Sequence, residues 1–175
     1  MTRNVFLPAM LIGMAMSFLA TGAQDVRATA PAQELIGTWQ GGGEARRTPA
    51  RDWESVRCQV TAQDSGADTL RVRGRCASAN TRGTFEIDIS GLDTGTLRAV
   101  FTALDLNQST RFTGSRSGDR MTLTSTRPVP LEDGDYRSRL TIDFVRDGAV
   151  SLRETVTPSS GGAASTIFDV DLTRQ

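Results

Sequence analysis

The segment Thr84-Phe85-Glu86-Ile87-Asp88-Ile89-Ser90 alternates polar and apolar residues without a fault. Successive side chains of an extended strand point to opposite faces, so this pattern gives a strand with one face buried and one in water. A helix would scatter the same apolar residues around its circumference. The alternation returns at Leu97, Ala99 and Phe101, at Met121 and Leu123, at Leu140, Ile142 and Phe144, at Val150 and Leu152, and at Phe168, Val170 and Leu172. Turn signals separate these runs: Ser90-Gly91 to Gly95, Gly114 to Gly118-Asp119, Asp133-Gly134-Asp135, Arg146-Asp147-Gly148 and Ser159 to Gly162. No segment carries a helical period, and the pattern predicts an all-β chain of roughly nine or ten antiparallel strands joined mostly by hairpins.

Consecutive hairpins with one apolar face must close into a barrel or pack as two sheets, because an open sheet leaves its edges and its apolar face in water. A closed antiparallel barrel is the expected architecture, with a β-sandwich as the alternative. A chain of 175 residues suffices for one domain with a real core.

The first residues read as an export signal over 1–23: Arg3 gives a positive start, Val5 to Ala20 is apolar, and Thr21-Gly22-Ala23 offers small residues for cleavage. The apolar run is interrupted by Pro8 and is shorter than the roughly 20 residues of a spanning helix. Residues 24–33 (QDVRATAPAQ) are small, polar and aperiodic, and read as a flexible leader before a barrel domain over 34–175. The expected location is periplasmic or secreted, with no membrane span once the signal is removed.

Twenty basic residues balance twenty acidic ones, so long-range attraction to nucleic acid is not expected. The chain has no histidine, and all of its basic residues are arginine. Without histidine there is no Ser-His or Cys-His nucleophile pair and no imidazole ligand for zinc, copper or haem iron. Without lysine there is no Schiff base. No cofactor and no metal site is expected, and any enzyme made from the remaining residues would rely on carboxylates, Tyr136 or arginine.

Both cysteines lie in VRCQVTAQDSGADTLRVRGRC, Val56 to Cys76. By strand parity Val56, Cys58, Val60 and Ala62 share one face with Leu70, Val72, Gly74 and Cys76, while Arg71, Arg73 and Arg75 lie on the reverse. A turn centred on Ala67 sets Cys58 opposite Cys76, where paired Cα atoms stand about 4.5 to 5.5 Å apart, within reach of a disulfide. A bridge is the default for two cysteines in an exported protein. A further turn centred on Asn80-Thr81 matches Cys76 with Phe85, Gly74 with Ile87 and Val72 with Ile89. That register sets Arg75 opposite Glu86 and Arg73 opposite Asp88. The arginine row reads as a solvated, partly neutralised outer face, with an anion-binding patch at Arg71, Arg73 and Arg75 as the functional alternative.

Residues 41–51 (GGGEARRTPAR) read as a mobile loop at a barrel rim or a basic contact loop. Residues 126–137 (TRPVPLEDGDYR) read as a stiff hairpin connection or flap, with the one tyrosine, Tyr136, at its base. The acidic spacing there is not that of an EF-hand calcium loop. Phe85, Phe101, Phe112, Phe144 and Phe168 are the expected interior and the candidate ligand-lining residues. In small barrels such side chains fill the lumen or line a pocket for one apolar ligand.

Leu35-Ile36-Gly37-Thr38-Trp39 at the start of the first strand, with Asp171-Leu172-Thr173-Arg174 at the end of the last, resembles the calycin group of barrels, the lipocalins and their relatives. The resemblance implies an up-and-down barrel with Gly37 and Trp39 at its closed end and Arg174 packed across the indole. In export signal, length and single cysteine pair the chain is also similar to short exported bacterial proteins of unassigned function.

Three function classes follow. The first is a non-catalytic binding protein for a small apolar ligand. The second is a structural or interaction protein of the cell envelope with a filled barrel. The third is an enzyme with two carboxylates facing each other in a cleft and separated pKa values.

Overall fold

The computed structural model describes residues 35–66, 68–145 and 148–175. The signal segment 1–23, the leader 24–33 and the turn centre at Ala67 lie outside the described residues. Eleven strands follow one another: β1 (Gly37–Ala45), β2 (Glu54–Asp64), β3 (Thr69–Ala77), β4 (Arg82–Ser90), β5 (Thr96–Ala103), β6 (Gln108–Ser117), β7 (Arg120–Ser125), β8 (Val129–Leu131), β9 (Gly134–Val145), β10 (Ala149–Pro158) and β11 (Ser165–Arg174). From β1 to β7 each strand pairs antiparallel with the next, β7 pairs with β9, β9 with β10 and β10 with β11, and β11 returns to pair with β1. Ten strands thus close an up-and-down barrel. The short β8 is the extra one and continues along β9 beyond the end of β7, with Val129 opposite Tyr136. Closure pairs both edges of the sheet, which is what the alternation required.

The cysteine hairpin has the expected register: Cys58 faces Cys76, Val60 faces Gly74 and Ala62 faces Val72. The two cysteines are bridged, with Cα atoms 4.1 Å apart. The next pairing differs from expectation by two residues, placing Gly74 opposite Phe85, Val72 opposite Ile87, Arg73 opposite Glu86 and Arg71 opposite Asp88.

Two physical causes set this register. The Ser78 hydroxyl accepts hydrogen bonds from the backbone N–H groups of Asn80 (3.2 Å) and Thr81 (3.0 Å), which tightens the turn ahead of its expected centre. Gly74 then leaves the space that the Phe85 ring occupies, since a Cβ there would stand 2.3 Å from Phe85 Cζ. Parity survives, because a shift of two residues keeps every side chain on its own face.

The glycine run was expected to be loop and is strand. Gly41 and Gly43 lie within β1, where a Cβ would fall 1.9 Å from the Asp171 carbonyl oxygen and 2.0 Å from that of Asp169. These glycines let β1 approach β11 closely, and having no side chain they carry no alternation to be read.

The ends of the barrel differ. At one end the turns are short, and Leu70, Ile89, Leu97, Met121 and Leu123 are wholly buried, with Leu35, Trp39 and Leu92 nearly so. This is the closed end. The other end carries the longer connections around residues 46–53, 126–133 and 159–164, with shorter ones at 78–81 and 104–107.

Candidate functional site

Side chains of alternate strand residues fill the lumen, and their burial changes along the barrel axis. Phe85, Phe101 and Phe168 toward the longer loops, and Leu140 and Leu152 at mid-barrel, pack against the core by one side and keep part of their surface accessible. These inward-facing apolar groups with residual exposure form a partly open cup in the barrel, while Tyr136, Val156 and Ile167 make a second buried cluster toward the longer connections. Phe85 and Phe101 stack with ring centroids 5.8 Å apart on the wall of this cup. Phe112, between Ala99 and Ser125, is buried below them.

Phe144 does not join this group. It sits at the end of β9 toward the closed base, with the Arg116 guanidinium 5.3 Å from its ring centroid. Arg116 points inward there and donates from Nε to the Gly118 carbonyl at 3.0 Å.

The cup contains one buried acid that the sequence reading passed over. Glu154 lies on the inward face of β10, between Leu152 and Val156, with Leu140 opposite on β9 and Phe168 opposite on β11. The Ser138 hydroxyl donates to its Oε1 at 2.5 Å, and the Ser138 backbone N–H is taken up by Ser125 Oγ at 3.0 Å. Burial pushes the Glu154 carboxyl above its ordinary value, and the Ser138 hydrogen bond opposes that only in part. The residue nevertheless keeps some accessible surface, as a group deep in the protein does when it borders an open lumen. A signal for it existed: strand parity from Val150 and Leu152 to Val156 passes through Glu154 on the core face.

The rim loops are tied to one another. Arg47 NH1 and Arg51 NH2 reach the two carboxylate oxygens of Glu132 at 3.3 and 2.8 Å, and Arg47 NH2 donates to Thr81 Oγ1 at 2.9 Å. The β1–β2 loop is thereby joined to its neighbour on the rim, the β3–β4 turn, and to the β8–β9 connection, which is not its neighbour. The two arginines hold the Glu132 carboxyl below its ordinary value. Arg46 anchors the same loop, donating to the carbonyls of Thr166 (2.8 Å) and Pro49 (3.0 Å) and lying over the Trp53 ring at 4.5 Å. The loop expected to be mobile is therefore pinned, with Thr48 buried beneath it. Tyr136 is buried at the base of the β8–β9 hairpin, where burial and the Asp133 carboxylate push its phenol up.

At the closed end the structure brings Gly37, Trp39 and Arg174 together. Trp39 is opposite Arg174 in the β1–β11 pair, the guanidinium carbon lies 4.9 Å from the indole centroid, and Trp39 Nε1 donates to the Leu35 carbonyl at 2.9 Å.

The three arginines named as an anion patch separate. Arg71 pairs with Asp88 at 2.7 Å and Arg73 with Glu86 at 2.5 Å, whereas Arg75 donates to the Gln59 side chain at 2.9 Å. Arg75 instead joins Arg57 and Arg82 around a shallow concavity of about 1100 Å³ on the outer wall.

No family model matches the chain, and no curated protein matches it in sequence. Among solved structures, Rv2717c from M. tuberculosis aligns with a TM-score of 0.57 and 16% identity, covering 83% of this chain and 98% of that one. This likeness is one of fold. EF1p2_mFAP2b bound to DFHBI aligns with a TM-score of 0.47 and 14% identity, again over 83% of this chain and 98% of the other.

Proposed function

We propose that the protein is a non-catalytic carrier or sensor that holds a small, largely apolar molecule in the open half of its barrel. The observation that carries this reading is the partial exposure of inward-facing Phe85, Phe101, Leu140, Leu152 and Phe168, beside a well-buried closed end. Concave apolar surface with few polar groups is the usual character of a small-molecule site. Glu154 faces Leu140 and Phe168 rather than a second acid, so a paired-carboxylate reaction has no partner across the strands. The Cys58–Cys76 bridge fits a non-cytoplasmic location, and with the signal-like N-terminus it supports an exported carrier.

Titration with Nile red, a neutral apolar dye, tests the reading. Saturable one-to-one binding to the mature protein is expected, and Leu152→Trp, which fills the lumen and leaves the outer wall intact, should abolish it. A folded protein that shows no saturable dye binding would overturn the carrier reading.

A second reading, an envelope interaction protein, draws on the outer concavity. Arg57 and Arg82 have no carboxylate ion-pair partner among the described residues, and with Arg75 they outnumber the one acidic side chain of the concavity, Asp105, which accepts from the Thr84 backbone N–H, so that the surface can take an anion. Binding to anionic polymer that is lost in Arg57→Ala/Arg82→Ala and unaffected by Leu152→Trp would favour it.

A further inference from the structure

Glu154 is the group in the cup that the apolar reading does not use. Three observations define its chemistry. It stands on the inward face of β10 among Leu152, Val156, Leu140 and Phe168, so its carboxyl borders the space where a ligand would lie. Its Oε1 already accepts from Ser138, which leaves Oε2 without a protein partner among the described residues. Among the described residues the arginine ion pairs lie on the outer wall or the rim, and none reaches Glu154.

An ionised carboxylate desolvated in this way is costly unless a positive charge accompanies it. Among the described residues no ion pair supplies such a charge to Glu154, and the inward-pointing Arg116 lies over the Phe144 ring and donates to the Gly118 carbonyl instead. A ligand can supply it, and the geometry selects which kind. A carboxylate or phosphate head would meet the Glu154 carboxyl as a like charge, whereas an ammonium group would satisfy the open oxygen and compensate the charge in one contact.

We propose that Glu154 is the polar anchor of the lumen and that it selects amphipathic ligands in which a protonated amine adjoins an apolar chain or ring. This rests on the carrier reading of the cup and adds the identity of the head group. The apolar part would lie along Phe85, Phe101 and Phe168, and the amine would meet Oε2 beside Ser138.

The test is competition for bound Nile red by three probes of equal chain length: decylamine, decanol and decanoate. The native protein is expected to bind decylamine about tenfold to a hundredfold more tightly than decanol, the range given by one charge-assisted hydrogen bond, with decanoate weakest. Glu154→Gln should bring decylamine to the level of decanol and leave decanol itself nearly unchanged. Glu154→Leu, which suits an apolar wall, should do the same and serves as the second variant if the glutamine form folds poorly. Equal displacement by all three probes, or an amine preference that survives both substitutions, would overturn the anchor role while leaving the carrier reading in place. Failure of dye and probes alike to bind would overturn both.

Discussion

The ring of Phe85 occupies the volume that any side chain at Gly74 would need, with Cζ 2.3 Å and Cε1 2.7 Å from the position of a Cβ. The ring cannot simply swing aside, because its other side is stacked against Phe101. Gly74→Ala should therefore destabilise the protein by about 1–3 kcal/mol, the usual cost of overpacking. Chemical denaturation of Gly74→Ala, Phe85→Leu and the double variant gives the coupling, and the two effects should be far from additive. Additive costs would mean that the pair does not hold the β3–β4 register.

The Cys58–Cys76 bridge spans 18 residues of sequence. On the chain-entropy account, closing a loop of this size contributes roughly 3 kcal/mol. Replacing both cysteines with serine should lower stability by about that amount. Intact mass should show no alkylation without reduction and two modified thiols after it; free labelling of the native protein would contradict the bridge.

Arg174 and Trp39 meet at the base of the barrel through a guanidinium–indole contact. Removing the cation with Arg174→Gln should cost about 0.5–2 kcal/mol. Trp39 is buried and Trp53 is exposed, so the lost cover should be read as increased acrylamide quenching of the shielded emission component. Quenching that does not change would show that the arginine does not cover the indole.

Glu154 makes stability depend on pH in a definite direction. Its folded-state pKa lies above the ordinary 4.5 of the unfolded chain, so the native state holds the proton to higher pH. Wherever the native state binds more protons than the unfolded state, stability falls as pH rises. The loss begins near 4.5 and is complete once pH has passed the folded-state value. The denaturation midpoint of Glu154→Gln should therefore exceed that of the native protein by a margin that widens over this window and then levels. A constant margin would place the titration elsewhere.

Much of the fold was legible because alternation reports which face of a strand is buried. From that came the strand-rich chain, the meander and the pairing of Cys58 with Cys76. The Phe85 register was not legible to within two residues, since it depends on the Ser78 hydroxyl tightening a turn and on empty space above Gly74. Neither leaves a periodic trace. Gly41 and Gly43 failed as strand signals for the opposite reason: the close approach of Asp171 and Asp169 requires the absence of the side chain that would have shown the period. Glu154 was passed over because polarity was read as outward, although parity already placed it among Leu152 and Val156.

The pairing of the first strand with the last puts the start of β1 and the C-terminal residue at the closed end of the barrel, where the backbone N–H of Gln175 donates to the Thr38 carbonyl at 2.9 Å. An affinity tag, a fused reporter or a surface tether attached after Gln175 therefore hangs from the base of the cup. The mouth faces away from the point of attachment. Immobilised by its C-terminus, the protein presents its lumen to the passing solution, which makes it suited to capture experiments on a sensor chip without any redesign of the chain.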